Sequence, residues 1–215
     1  MSGIFTARLR ALVQILFFVF VIRPFVTLFI GLRVQGKEML PARDPFVLIA
    51  NHSSHLDTVS LLSLFPLRRL PRIRPCAAAD TWERTRWIAF LSRTLFNTLA
   101  IARRNITAQT HPVRRMHEAL ARGESLILFP EGTRGNGETM ASFRPGIAHL
   151  IEEAPDIPVV PAYLTNMARS LPKGEWVPVP FICAVRLGRP LLVAGTRDEI
   201  LKTLERAVLE LKENV

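Results

Sequence analysis

The chain has 215 residues, a formal net charge of +10 and 49 % hydrophobic residues. That length accommodates one α/β domain with a sizeable core and a short appendage, while a pI near 11.1 with a mean hydropathy of +0.23 implies an anionic partner: nucleic acid, an acidic membrane surface or phosphorylated small molecules. The two cysteines, Cys76 and Cys183, are far apart and form no CxxC, which argues against a disulfide framework or a cysteine-rich metal site and fits a reducing compartment.

Most of the excess apolar content precedes residue 33. ALVQILFFVFVI (11–22) follows Arg8 and Arg10, stops at Arg23-Pro24, and is succeeded by FVTLFIGL (25–32) before Arg33. A secretory signal is one reading, but no small-x-small cleavage site follows. The first run alone would rise roughly 18 Å, short of a hydrocarbon core of about 30 Å. Both runs as one kinked helix would span, with Arg23 mid-membrane at a cost of several kcal/mol. A helix buried in the protein's own core is the bland alternative. The favoured expectation is a bent helical pair that dips into one leaflet with Arg23 reaching toward headgroups. Residues 1–33 are thus predicted as a membrane-anchoring segment and 34–215 as the catalytic domain, at the cytoplasmic face of an inner membrane, monotopic or single-pass.

From residue 34 short β-like runs alternate with helical patterns. PFVLIA (45–50) reads as a buried strand, followed by a helix over 57–65. PLRRLPRIRP (66–75) has four arginines and three prolines. It reads as a surface loop or as a lip on anionic lipid with Leu67, Leu70 and Ile73 dipping in, each basic residue there being worth about 1 kcal/mol. A helix is predicted over 82–98 and a strand over 97–102. His111-Pro112 opens a helix with Val113, Met116, Ala119 and Leu120 on one face and Gly123 at its close. SLILFP (125–130), IPVVPAYL (157–164) and FICAVRLG (181–188) read as strands. Thr196 and Glu199 form a capping box for a last helix along Ile200, Leu201, Leu204, Val208 and Leu211. The alternation argues for an α/β fold, a mostly parallel sheet flanked by helices, with the amino-terminal membrane-associated helical segment added.

The strand at 45–50 runs into Asn51-His52-Ser53-Ser54-His55-Leu56-Asp57. Open α/β sheets bind ligands beyond the carboxyl ends of their strands. His52 and Asp57 are five positions apart, about 140° around an ideal helix. They meet only if His52 lies in the strand–helix turn and Asp57 in the first helical turn. A carboxylate on one imidazole nitrogen fixes the tautomer and leaves the other nitrogen as a base, able to deprotonate a hydroxyl for a gain of roughly 10²–10⁴ in rate. With no GxSxG elbow, the chemistry is direct transfer. A metal bound by His52, His55 and Asp57 is the alternative, which no HExxH supports. At the next strand end, Phe129-Pro130-Glu131-Gly132-Thr133-Arg134-Gly135 combines two backbone-freeing glycines with an arginine able to grip phosphate in two-pronged fashion. Arg103, at the end of 97–102, has the same capacity.

Together NHSSHLD (51–57), the arginine of NTLAIAR (103), FPEGTRG (129–135) and IPVVP (157–161) resemble, in order and spacing, the four blocks of the glycerolipid acyltransferase family that includes 1-acyl-sn-glycerol-3-phosphate acyltransferase. The resemblance covers about residues 40–165. It implies that His52 is the base and Asp57 its orienter, and that Arg103, Glu131, Gly132, Thr133 and Arg134 bind the acceptor's phosphate. It also implies a lysophospholipid acceptor, acyl-CoA or acyl-ACP as donor and co-substrate, no other cofactor, and phosphatidate as product. Two departures bear on the acceptor: Asn97, Ala100 and Ala102 stand where the second block usually has glycine, an aromatic and an acid, and Phe143-Arg144-Pro145-Gly146 stands for Phe-Lys-x-Gly. Acylation of a different lyso-lipid, or a non-catalytic membrane-binding protein that retains the fold, are the alternatives. Nucleic acid is not expected as a partner, since no aromatic-interleaved basic motif accompanies the charge.

Overall fold

The structure is a computed structural model that describes residues 2–79, 85–102, 106–107, 110–172, 174–175 and 177–213. Seven strands form one sheet: β1 (Arg33–Gln35), β2 (Val47–Ala50), β3 (Ile73–Ala78), β4 (Leu99–Ile101), β5 (Ser125–Leu128), β6 (Val159–Thr165) and β7 (Ala184–Leu187). Their order is β1-β7-β6-β2-β5-β3-β4, and every pairing is parallel except β6–β7. The central strand β2 has all four residues buried. A Val-Leu-Ile-Ala run is what a parallel strand covered on both faces requires. Val47 is in register with Leu126 on one side and Val159 on the other, which fixes where the β2, β5 and β6 ends, and the loops they carry, come together.

Helices cover both faces. On one lie α4 (Pro112–Ala121), α5 (Gly146–Glu153) and α7 (Arg197–Glu213), burying Val113, Met116, Ile147, Leu150, Ile200, Leu204 and Val208 against Val47, Ile49, Leu126 and Val159. The capping box of α7 forms as expected: the Thr196 backbone N–H donates to Glu199 Oε2 at 2.8 Å, and Glu199 N–H reaches Thr196 Oγ1 at 3.4 Å. The other face is covered by α2 (Leu56–Ser63), the 3₁₀ turns Leu67–Arg72, the short α6 (Met167–Ser170) and the amino-terminal helix. The helix α3 (Arg86–Leu95) packs against the start of that amino-terminal helix.

The amino-terminal segment is helical through Arg23-Pro24 without an interruption. Helix α1 (Ser2–Phe17) passes through a π-helical turn at Phe18–Ile22, an α turn at Arg23–Phe25 and a second π turn at Val26–Ile30, and ends at Gly31 with φ 56°. Proline lacks an N–H and its ring collides with the carbonyl four residues back. Around Pro24 the turn widens instead of breaking: the Arg23 N–H donates to Phe18 O, five residues back. Gln14, Phe18, Ile22, Val26 and Ile30 point inward and are buried. At a spacing of four an ideal helix drifts about 40° per step, and the wider π turns offset that drift. Phe18, Ile22, Val26 and Ile30 share one hydrophobic cluster with Phe46, Leu48, Phe65 and Val185, so the helix's inner face is part of the domain core. Arg23 donates to Phe65 O at 3.3 Å and is thereby tied to the domain. The described helix contains one 24-residue stretch, Ala7–Ile30, that is long and apolar enough to cross a membrane by length and composition.

The reading of 66–75 as a loop or lipid lip is corrected. Residues 67–72 form 3₁₀ turns and 73–78 form β3, and Leu70 and Ile73 are fully buried in the core. The arginines here serve the fold. Arg69 donates to Asp44 at 2.7 Å and to Pro41 O at 2.7 Å, and lies over the rings of Phe46 and Phe65. Arg74 pairs with Glu124. Prolines and arginines masked the strand, since neither belongs to a β pattern.

Candidate active site

The end of β2 turns sharply before α2, and the turn is built around one oxygen. Asp57 Oδ2 accepts the Ser53 N–H at 2.6 Å and the Ser54 N–H at 2.9 Å, and lies 2.7 Å from His52 Nδ1. The carboxylate therefore ties the first turn of its helix back to the preceding loop, which is what draws His52 alongside. Asp57 is fully buried, and its Oδ1 has no hydrogen-bond partner among the described residues. The His52 ring is stacked on Phe129, with centroids 4.1 Å apart and planes 17° from parallel. With Nδ1 committed to Asp57, that nitrogen carries the proton and Nε2 carries the lone pair. The side chain of His52 is 19 % exposed, enough to meet a substrate while its partner stays dry.

Glu131, which the resemblance assigns to the acceptor's phosphate, has both oxygens engaged by the protein's own backbone. It is buried, and its two oxygens accept backbone N–H bonds, Oε1 from His52 at 2.7 Å and Oε2 from Ala141 at 2.8 Å. It joins the β2 turn to the far end of the loop that follows FPEGTR. The Gly135 N–H donates to His52 O at 2.9 Å and closes the same connection. Burial pushes the Glu131 carboxyl above its ordinary range, against the pull of the two N–H groups. The rest of the loop is held from outside: Phe143 N–H donates to Glu205 on α7, Arg144 N–H to Pro130 O, and Lys212 to Glu138 O.

Gly132 has φ 75°, and a side chain there would press on Arg144 at 3.2 Å. The glycine is needed both for the left-handed turn and for the passage of Arg144. Thr133 is exposed and Arg134 half-buried at the loop's outer edge. The Arg134 charge reaches His55: desolvation first, then Arg134, then His52 hold the His55 imidazole below its usual range. Arg103 lies outside the described residues. The structure thus brings His52, Asp57, Glu131, Gly132, Thr133 and Arg134 to the ends of β2 and β5.

Two further residues belong to this framework. Asn51 exchanges a pair of bonds with Leu164, Nδ2 to O at 3.0 Å and Leu164 N–H to Oδ1 at 2.7 Å. It extends the β2–β6 pairing one residue past the strand by side chain, just where the backbone must turn away. Its place directly before His52 was the available signal. Arg144 lies beside Gly132 and adds a guanidinium to the loop, as its place in FRPG allowed. Among the described residues no group of three or more His, Cys, Asp or Glu side chains is arranged to hold a metal ion.

The arrangement has known counterparts. A family model, Acyltransferase, matches residues 31–165. The chain is 28 % identical over 182 residues to the human 1-acyl-sn-glycerol-3-phosphate acyltransferase alpha, covering 82 % of this chain and 61 % of that protein. It is 31 % identical over 172 residues to the lyso-ornithine lipid O-acyltransferase of Pseudomonas aeruginosa, covering 78 % and 60 %. The chain thus spans about three-fifths of the length of these curated relatives. The crystal structure of the 1-acyl-sn-glycerophosphate (LPA) acyltransferase PlsC from Thermotoga maritima superposes with a TM-score of 0.66 at 22 % identity, over 85 % of this chain and 71 % of that one, and shows that the fold is shared. On the match of its family model across β1 to β6 and both motif loops, the chain belongs to the acyltransferase family.

Proposed function

We propose that the protein moves a fatty acyl chain from a thioester donor, acyl-CoA or acyl-ACP, to the free hydroxyl of 1-acyl-sn-glycerol 3-phosphate, making phosphatidate. The observation that carries this reading is the 2.7 Å contact of His52 Nδ1 with a fully buried carboxylate at the end of the central strand, which holds the ring in the tautomer that leaves Nε2 as the base. Nε2 takes the proton of the acceptor hydroxyl as its oxygen attacks the thioester carbonyl. The new C–O ester bond forms, the C–S bond breaks, and the leaving thiolate recovers the proton from the imidazolium as free thiol. Asp57 stabilises that transient charge and holds the ring. Arg134, Thr133 and the backbone at Gly132 face the acceptor's phosphate, with Arg103, two positions after β4 in the sequence, as a second guanidinium in this reading.

A second acceptor class has its own support. The Pseudomonas relative, named for a lyso-ornithine lipid, is 31 % identical, and the second block lacks the usual glycine and acid. Thiol release from acyl-CoA and acyl-ACP, measured with lysophosphatidate, other lyso-glycerophospholipids and lyso-ornithine lipid, tests both readings. Preference for lysophosphatidate supports the first; turnover only with an aminoacyl lyso-lipid replaces it with the second; no release with any acceptor overturns both.

The protein acts at a membrane, with the amino-terminal helix lying along its surface. Leu9, Leu12, Leu16, Phe20, Leu28 and Phe29 on that helix, and Trp87 and Phe90 on α3, are exposed. A bilayer is the solvent that suits such a face. The docked inner stripe favours a monotopic arrangement over a span, since a span would strip it from the domain. Flotation with anionic vesicles tests attachment. Single charged replacements at Phe20 and Leu28 are expected to release the protein, because they act on the outer face and spare the core.

A further inference from the structure

β2 lies between β5, which carries the FPEGTRG loop, and β6, and residues 136–138 after that loop reach across to the β6 end. Beyond the end of β6 is a cavity of about 440 Å³ whose wall includes Ser53, Asn136, Glu138, Asn166, Arg169 and Lys212. Ser53 follows His52 directly, so the cavity adjoins the dyad. Its two cations come from different elements and serve no step of the transfer described above. Arg169, on α6, lies with its guanidinium 5.7 Å from the centre of the Phe181 ring, a contact that steadies it while leaving its N–H groups in the guanidinium plane. Lys212, in the last turn of α7, donates to Glu138 O at 2.9 Å. Asn166 adopts φ 64° at the start of α6 and donates to Ile182 O, which secures the turn beneath Arg169.

We propose that this cavity receives the phosphorylated pantetheine arm of the thioester donor, with Arg169 and Lys212 facing its phosphate. The inference rests on the acyl-transfer reading and extends it to the second substrate. Direct transfer requires acceptor and donor at His52 together, so they must approach from different sides. Thr133 and Arg134 of the Gly/Arg loop are the acceptor's in that reading, which leaves Arg169 and Lys212, across the cavity at the β6 end, to the donor. The lining matches that ligand: hydroxyl and amide groups suit the two amides of pantetheine, and two cations from separate elements suit a phosphodiester or diphosphate. Coenzyme A and acyl carrier protein present the same phosphate-linked arm.

The test uses the full chain in vesicles, with Arg169→Ala, Lys212→Ala and the double variant. Each substrate is varied at saturating concentration of the other, with acyl-CoA and acyl-ACP as separate donors. Loss of charge-assisted contacts is expected to raise the donor KM of the double variant by about tenfold or more, with the acceptor KM held within about twofold. Free coenzyme A, tested as an inhibitor against acyl-CoA, should lose potency in parallel. A rise with both donors supports recognition of the shared arm, and a rise with one assigns the cavity to that carrier. Unchanged donor KM for both, or a rise confined to the acceptor, overturns the proposal. Lys212→Glu, at an exposed final turn, provides a second variant that spares the Phe181 contact. Wild-type protein inactive with every acceptor would fail the acyl-transfer reading instead; calorimetric binding of free coenzyme A, compared between wild type and Lys212→Glu, would then still decide the cavity.

Discussion

Asp57 and Glu131 are both buried carboxylates bonded to His52, and they hold different parts of it. Asp57 gathers the His52 ring and two backbone N–H groups onto the single oxygen Oδ2, leaving Oδ1 without a partner among the described residues. Glu131 spends one oxygen on the His52 backbone and the other on Ala141. The contrast separates two tasks that a motif runs together. One carboxylate sets charge and tautomer on the reacting ring; the other sets the distance between two loops.

The sharpest break of that contrast is at the dyad. Asp57→Asn can place its amide oxygen where Oδ2 lies and keep all three bonds, trading one unpartnered polar atom for another. What it loses is the negative charge that stabilises the imidazolium. We expect turnover to fall by about 10³–10⁴, with a thermal midpoint close to wild type. His52→Ala, which removes the base itself, should fall at least as far and stay folded, because Glu131 grips the backbone rather than the ring. Thiol-release kinetics beside thermal melting would check both. An Asp57→Asn protein that melts far below wild type would mean that the charge, and not only the geometry, holds the turn.

How far each task could be read from sequence differs for the same physical reason. The His52–Asp57 pairing follows from five-residue spacing across a strand–helix boundary, which is local. Glu131's task depends on a backbone N–H seventy-nine positions away, and no local pattern reports that. Its charge and its place in FPEGTR suggested ligand chemistry instead. The alternation of strands and helices was legible, as were the faces of α4 and α7, because periodicity records burial. β3 was not, because Pro71, Pro75 and Arg74 interrupt the pattern that burial would otherwise write. That the helix continues through Pro24 was not legible, because π turns supply a route around proline that composition does not announce.

A smaller effect sharpens what the Glu131 connection aims. If the loop is held so that Arg134 meets the acceptor, Arg134→Lys keeps the charge and loses the two-pronged geometry. The expected cost is about 1.5–3 kcal/mol, or roughly ten- to a hundredfold in kcat/KM for the lyso-lipid, with the donor KM little changed. Arg114→Lys is the control: it lies on the outer face of α4, paired with Glu118, and should alter neither constant. An Arg134→Lys enzyme weakened only toward the donor would reverse the assignment of acceptor and donor.

The smallest effect is expected at Glu131 itself, and it should be one of stability. In Glu131→Gln one oxygen can still accept, but the amide nitrogen must face the other N–H, donor against donor. Leaving a buried N–H unsatisfied costs about 1–3 kcal/mol, which at about 2–4 °C per kcal/mol for a domain of this size is a clear fall in melting temperature. Protonated glutamic acid does not share the defect, since its hydroxyl oxygen still accepts. The sign of the pH dependence then follows. Burial raises the folded-state pKa of Glu131 above the ordinary value of 4.5, so the folded state holds its proton longer than the unfolded state. The stability this contributes is fully present below pH 4.5 and is lost as the pH climbs through the folded-state pKa. Glutamine does not titrate. The gap between wild type and Glu131→Gln should therefore be widest in acid and narrow toward neutrality, as measured by melting in detergent at a series of pH values. A gap that widens as the pH rises would mean that the two N–H bonds outweigh burial and lower the Glu131 pKa instead of raising it.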